Sequence, residues 1–123
     1  MTLNIVSTML EFQNQIKIYH WQTNSFSQHK SFGELYDSLS DTIDEFVETF
    51  MGKYGRVIAK DKFYMELSNL KDSDYNQIID SFILFLSNDL QNALDQQKDT
   101  DLLNIRDEIV GSLNKTKYLL TLK

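Results

Sequence analysis

At 123 residues the chain has room for one domain with a sizeable core, and not for two. A hydrophobic content of 41% excludes a disordered chain, and no apolar run approaches the roughly 20 residues that span a bilayer. The net charge of −6 opposes direct contact with DNA or anionic lipid, and the lack of cysteine excludes disulfides and thiolate metal sites. "MTLNIVSTML" at the start has no basic region of a signal peptide, so a cytoplasmic location is expected.

A first helix is predicted from Leu3 to about Asn24, because Ile5, Met9, Phe12, Ile16 and Tyr19 recur at steps of four and three and form one apolar stripe. The polar stretch "HWQTNSFSQH" then runs from His20 to His29 and contains both histidines of the chain. A second helix is predicted from about Gln28 to Met51. Its band of Phe32, Leu35, Tyr36, Leu39, Ile43, Phe46, Val47 and Phe50 is wide enough to face a core. "SFGE", Ser31 to Glu34, has the form of a capping box and offers this helix a later start. Gly52 and Gly55 stop it.

Lys53 to Lys71 reads as a crossing connection with a short helix around Asp61 to Leu67. Asp72, Ser73 and Asp74 can each cap a third helix carrying Tyr75, Ile78, Ile79, Phe82, Leu86, Leu90 and Ala93. Within it, "FILFL" from Phe82 to Leu86 is apolar all round, as a stretch covered by other subunits would be. Asp99 or Thr100 caps a fourth helix that buries Leu102, Ile105, Ile109, Leu113, Thr116 and Leu120. Gly111 inside it costs about 1 kcal/mol against alanine, which a close helix approach would justify. The expected fold is therefore all-α: residues 1–123 as a single up-down four-helix bundle with one long connection, between helices two and three, as in ferritin-like proteins.

Chemistry concentrates on helix two. Between Ser31 and Gly52 lie Glu34, Asp37, Asp41, Asp44, Glu45 and Glu48, with no Lys or Arg. A solvated acidic face is the plain reading of such a run. At 100° per residue, however, His29, Gly33, Asp37, Asp41, Asp44 and Glu48 fall within an arc of about 120°. Asp44 and Glu48 have the i, i+4 spacing that lets two carboxylates share one metal. His29 faces the same way but lies about 22 Å along the axis from Asp44, too far for one ion in one chain. An antiparallel copy, related by a two-fold axis near Asp37 or Ser38, would set His29 of one chain beside Asp44 and Glu48 of the other, twice over. The hinge brings His20 back toward His29. Each site would then draw two imidazoles from one subunit and two carboxylates from its mate, a set suited to Fe(II) or Zn(II).

"YHWQTNSFSQHKSFGELYDSLSDTIDEFVE" resembles the signature of the Dps (DNA-protection-during-starvation) family of mini-ferritins. The matching positions are His20-Trp21, His29, "FGELY" at Phe32 to Tyr36, and Asp44 with Glu48, fifteen and nineteen residues after His29. The resemblance implies a four-helix subunit assembled as a dodecamer, with iron centres between two-fold-related subunits. It implies Fe(II) binding at His20, His29, Asp44 and Glu48, oxidation by peroxide or dioxygen, and storage as ferric mineral. Trp21 is the implied electron donor, with core packing as its equal alternative. Four residues after the second histidine, members usually carry an acidic ligand; here the position is Gly33, which points to a single-metal site. The hinge is about three residues shorter than usual. The chain is also short for the family, without its basic tail, so direct DNA binding is not expected. The contrasting function is a ferritin-fold structural or interaction protein that has lost the chemistry, in a cell or, for a viral chain, in its host's cytoplasm. A hydrolase lacks any nucleophile or pocket signature.

Overall fold

The structure, a computed structural model, describes residues 2–123; among these there are helices and connecting chain and no strand. Helix α1 spans Thr2–Gln22 and α2 spans Phe26–Tyr54. After residues 55–74 come α3 (Tyr75–Leu84), a π turn (Phe85–Asp89) and α4 (Leu90–Ala93), then α5 (Thr100–Leu119). None of these helices is long and apolar enough to cross a membrane.

Contacts between helices fix their directions. His20 meets His29, and Lys17 lies over Tyr36, so α1 and α2 are antiparallel. Ser38 bonds Ser112, while Lys53 bonds Asp101, so α2 and α5 are antiparallel. Asp80 pairs with Lys117 and the Leu86 carbonyl accepts from Arg106, so the α3–α4 rod runs against α5. Phe12 stacks on Phe82 with ring centroids 4.1 Å apart, which closes the ring of helices. The two reversals, from α2 to α5 and from α5 to α3, leave α2 and α3 running the same way.

The core is the sum of the predicted stripes. Ile5, Met9, Phe12, Ile16 and Tyr19 of α1 are buried, as are Phe32, Leu35, Leu39, Ile43, Phe46 and Phe50 of α2. All six residues expected inward on the last helix are buried. In the third rod Ile79, Phe82, Leu86 and Leu90 are buried, but Ile78 and Leu84 are exposed, so "FILFL" has an open side in the single chain.

Several expectations are corrected. Helix two starts at Phe26, not after "SFGE": the cap is Ser25, whose Oγ accepts from the Gln28 amide, while its own amide donates to Thr23 Oγ1. No helix forms over 61–67. That segment is irregular and exposed, and the only regular turn of the connection is the 3-10 turn Leu70–Asp72. Its backbone bonds instead to side chains of α1. Glu11 accepts from the Glu66 amide, Gln15 accepts from the Ser68 amide and donates to the Ser68 carbonyl, and Gln22 accepts from the Leu70 amide. Alternate residues of the strap are thus paired along one helix, which removes the backbone's need for its own helical bonds. Gly111 is exposed with no neighbour within 4 Å of where a Cβ would stand, so no close approach explains it.

Candidate metal centre

The hinge between α1 and α2 is only Thr23, Asn24 and Ser25. Thr23 Oγ1 accepts from the Ser25 amide and donates to Gln28 Oε1, and the Ser25 cap starts α2 at once. This tight reversal sets His20, in the last turn of α1, against His29, in the first turn of α2. The two rings stack with centroids 3.9 Å apart and 18° between planes.

Each imidazole reaches across to the other residue's backbone. His20 Nδ1 lies 2.7 Å from the His29 carbonyl, and His29 Nδ1 lies 2.9 Å from the His20 carbonyl. A carbonyl only accepts, so both Nδ1 atoms carry a proton, and in its neutral form each ring keeps a lone pair on Nε2. That is the tautomer and the outer tether that metal-binding histidines use. The same bonds have a local value: the His20 carbonyl is one of the orphans of the α1 terminus, and His29 satisfies it.

Stacking limits what the pair can hold. A metal binds in the plane of an imidazole about 2.0–2.1 Å from nitrogen, and the lone pairs of stacked rings run in neighbouring planes without meeting. While the stack stands, one ion takes at most one of the two.

Asp44 and Glu48 stand together on the outer face of α2, both exposed. Glu48 is raised above its ordinary value by a hydrogen bond from its protonated carboxyl to Asp44, by the Asp44 charge and by desolvation. A shared cation relieves the same repulsion that the shared proton does. Glu34, Asp37, Asp41 and Glu45 are exposed as well. Among the described residues no three His, Asp or Glu side chains of one chain come together around a metal position, and the histidine pair, at the α1–α2 hinge, and the carboxylate pair, on α2, remain apart. Trp21 is 66% exposed, so core packing does not explain it. Lys17 holds its ammonium 5.4 Å from the Trp21 ring centre and 4.5 Å from that of Tyr36, an aromatic cradle not foreseen from sequence, although Lys17 and Trp21 have the i, i+4 spacing that brings side chains together on a helix.

Of the basic residues Lys53, Arg56, Lys60 and Lys62, the last three are exposed, whereas Lys53 is bound. It contacts Asp99 at 3.0 Å, Asp101 at 2.9 Å and the Lys98 carbonyl. Asp99 also accepts from Tyr54 and from the Asp95 amide. This knot is structural and lies at the end of α2 away from the histidines.

The model of a family described as "Family of unknown function (DUF5856)" matches residues 20–120, and the chain belongs to that family. It is 28% identical over 104 residues to an uncharacterized 14.6 kDa protein of the mobD-ri intergenic region of Enterobacteria phage T4, covering 85% of this chain and 75% of that one. Over 83 residues it is 26% identical to DNA protection during starvation protein 2 of Bacillus anthracis, covering 65% of this chain and 57% of the relative. General stress protein 20U of Bacillus subtilis is 26% identical over 100 residues, covering 77% and 69%. These are distant similarities to Dps and stress proteins. No solved structure matches the chain significantly.

Proposed function

We propose that this protein is a Dps-like mini-ferritin that binds Fe(II) as its substrate, and oxidises and stores it, at a site shared by two-fold-related subunits. The observation that supports it most is the reciprocal tether of His20, at the end of α1, and His29, at the start of α2, which presents two metal-binding tautomers beside the helix that displays Asp44 and Glu48. Parallel α2 and α3 joined by residues 55–74 suit a ferritin-like bundle with one long crossover. The Dps-named relative supports the same reading.

In this account Asp44 and Glu48 of one subunit supply the negative charge that favours Fe(III) over Fe(II), and an imidazole of the mate completes the set. With the stack intact the site holds one ion per imidazole. Zn(II) suits the same donors. Trp21, exposed near the pair, is the proposed electron donor toward peroxide or dioxygen. The partner is a second copy of the chain, within a larger closed assembly such as a dodecamer. The net charge of −6 leaves no role for direct DNA binding. The proposed location is the cytoplasm, of the host where the chain is viral, as the phage T4 relative allows.

The test is Fe(II) oxidation by metal-free protein in air or with peroxide, followed by ferric absorbance. Oxidation well above buffer, removed by His29→Ala or Asp44→Ala, is expected. Equal rates for buffer, wild type and both variants contradict it. They favour the second reading, a bundle without ferroxidase chemistry, whose histidines serve only to close the hinge and whose Gly33 offers no ligand.

A further inference from the structure

We propose that Gly33 is the positioning residue of the histidine pair: the side chain missing at position 33 is the seat of the His20 imidazole. A Cβ at Gly33 would lie 2.9 Å from His20 Cε1, 3.0 Å from Nδ1 and 3.9 Å from Nε2. Contacts of 2.9 Å are not tolerated, so a residue with a side chain here forces the ring to move. Any such movement breaks two contacts of the ring. Its Nδ1 is held 2.7 Å from the His29 carbonyl, and its plane is stacked on the His29 ring.

Gly33 has no backbone reason to be glycine. It sits inside α2 with no positive φ, where glycine is less favourable than alanine. The other glycines within helices, Gly52 and Gly111, meet nothing within 4 Å of a Cβ. At position 33 alone the missing side chain makes room for something, and that something is an imidazole. In this chain, with its three-residue hinge, position 33 therefore decides between two donor sets. Glycine admits His20; an acidic residue would add a carboxylate and expel the ring. Restoring an acid here does not add a ligand to the existing ones.

This inference has one arm independent of the proposed function and one that rests on it. The independent arm uses metal-free protein. Gly33→Ala is expected to shift the His20 and His29 ring proton resonances together, as the rings lose their mutual stacking, and to lower the Tm. In a His20→Ala background the same substitution is expected to raise the Tm, since only the helix preference then remains. Gly111→Ala, in open space, is expected to leave the ring signals in place. Unchanged imidazole signals in Gly33→Ala, or the same sign of Tm change in both backgrounds, would overturn the seat.

The dependent arm uses Co(II) as a spectroscopic probe. Gly33→Asp is expected to bind cobalt at least tenfold more weakly than wild type and to lose the cobalt-induced change in the His20 ring signals. Tighter or additional cobalt binding with the His20 signal retained would overturn the exclusion. A wild-type protein that takes up no cobalt overturns the metal site alone, and the ring signals then still decide the seat.

Discussion

Tyr19 is completely buried between Phe32 and the end of the strap, and its hydroxyl has no partner with hydrogen-bond geometry. Burial pushes the phenol up, with only the Ser73 hydroxyl nearby to oppose it. An unpaired buried hydroxyl is a cost, so Tyr19→Phe is expected to leave stability unchanged or raise it by up to about 1 kcal/mol in urea unfolding. A loss above that would mean the hydroxyl is in fact bonded. The neighbouring histidines were legible as a pair, since a short polar stretch with a histidine at each end invites a hinge. Their stacking was not. It depends on the ring rotamers and on the space over Gly33, which the sequence shows only as a departure from an expected acid.

At the scale of elements, the stripes of α1, α2 and α5 followed from spacing alone, because each packs one face on a common core. The strap did not. A helix over 61–67 fits local preference, but Gln15, only 6% exposed, bonds both the amide and the carbonyl of Ser68, a tertiary partner 53 positions away. Gln15→Ala orphans both groups and is expected to cost about 1–3 kcal/mol, with faster amide exchange confined to the strap. Exchange unchanged there would show that the strap is held by other contacts. The π turn was equally hidden, since one extra residue in a helical turn barely alters an apolar pattern.

The knot at the other end of α2 sets the response to acid. Burial works to raise Asp99, but the bonds from Tyr54, the Asp95 amide and Lys53 outweigh it and hold the carboxyl below its ordinary value. Asp101 is held low by Lys53, and Asp95 by the amides of Lys98 and Gln97. The unfolded chain thus binds these protons more tightly. Their contribution is complete above the ordinary carboxylate value of about 4 and is lost as pH falls through the lower folded values. Melting curves between pH 6 and pH 2 are expected to fall less steeply in Asp99→Asn than in wild type. Equal slopes would remove the knot from the acid response.

For the whole molecule, charge and topology point the same way. The six carboxylates of α2 are exposed, and among the described residues no three His, Asp or Glu side chains of one chain come together, so the proposed site draws on a second copy. The sequence offered a bundle with its long connection between helices two and three; the direction of α3 itself rests on contacts such as Asp80 with Lys117 and Leu86 with Arg106. The shared site is tested most directly by complementation. His29→Ala and Asp44→Ala chains are unfolded together, refolded as a mixture and assayed for Fe(II) binding, beside each variant alone. Random two-fold pairing makes half the dimers mixed, each with one intact site of two, so about a quarter of wild-type binding is expected to return. Recovery no greater than the mean of the separate variants, with wild type binding normally, would place the site within one chain and contradict the account.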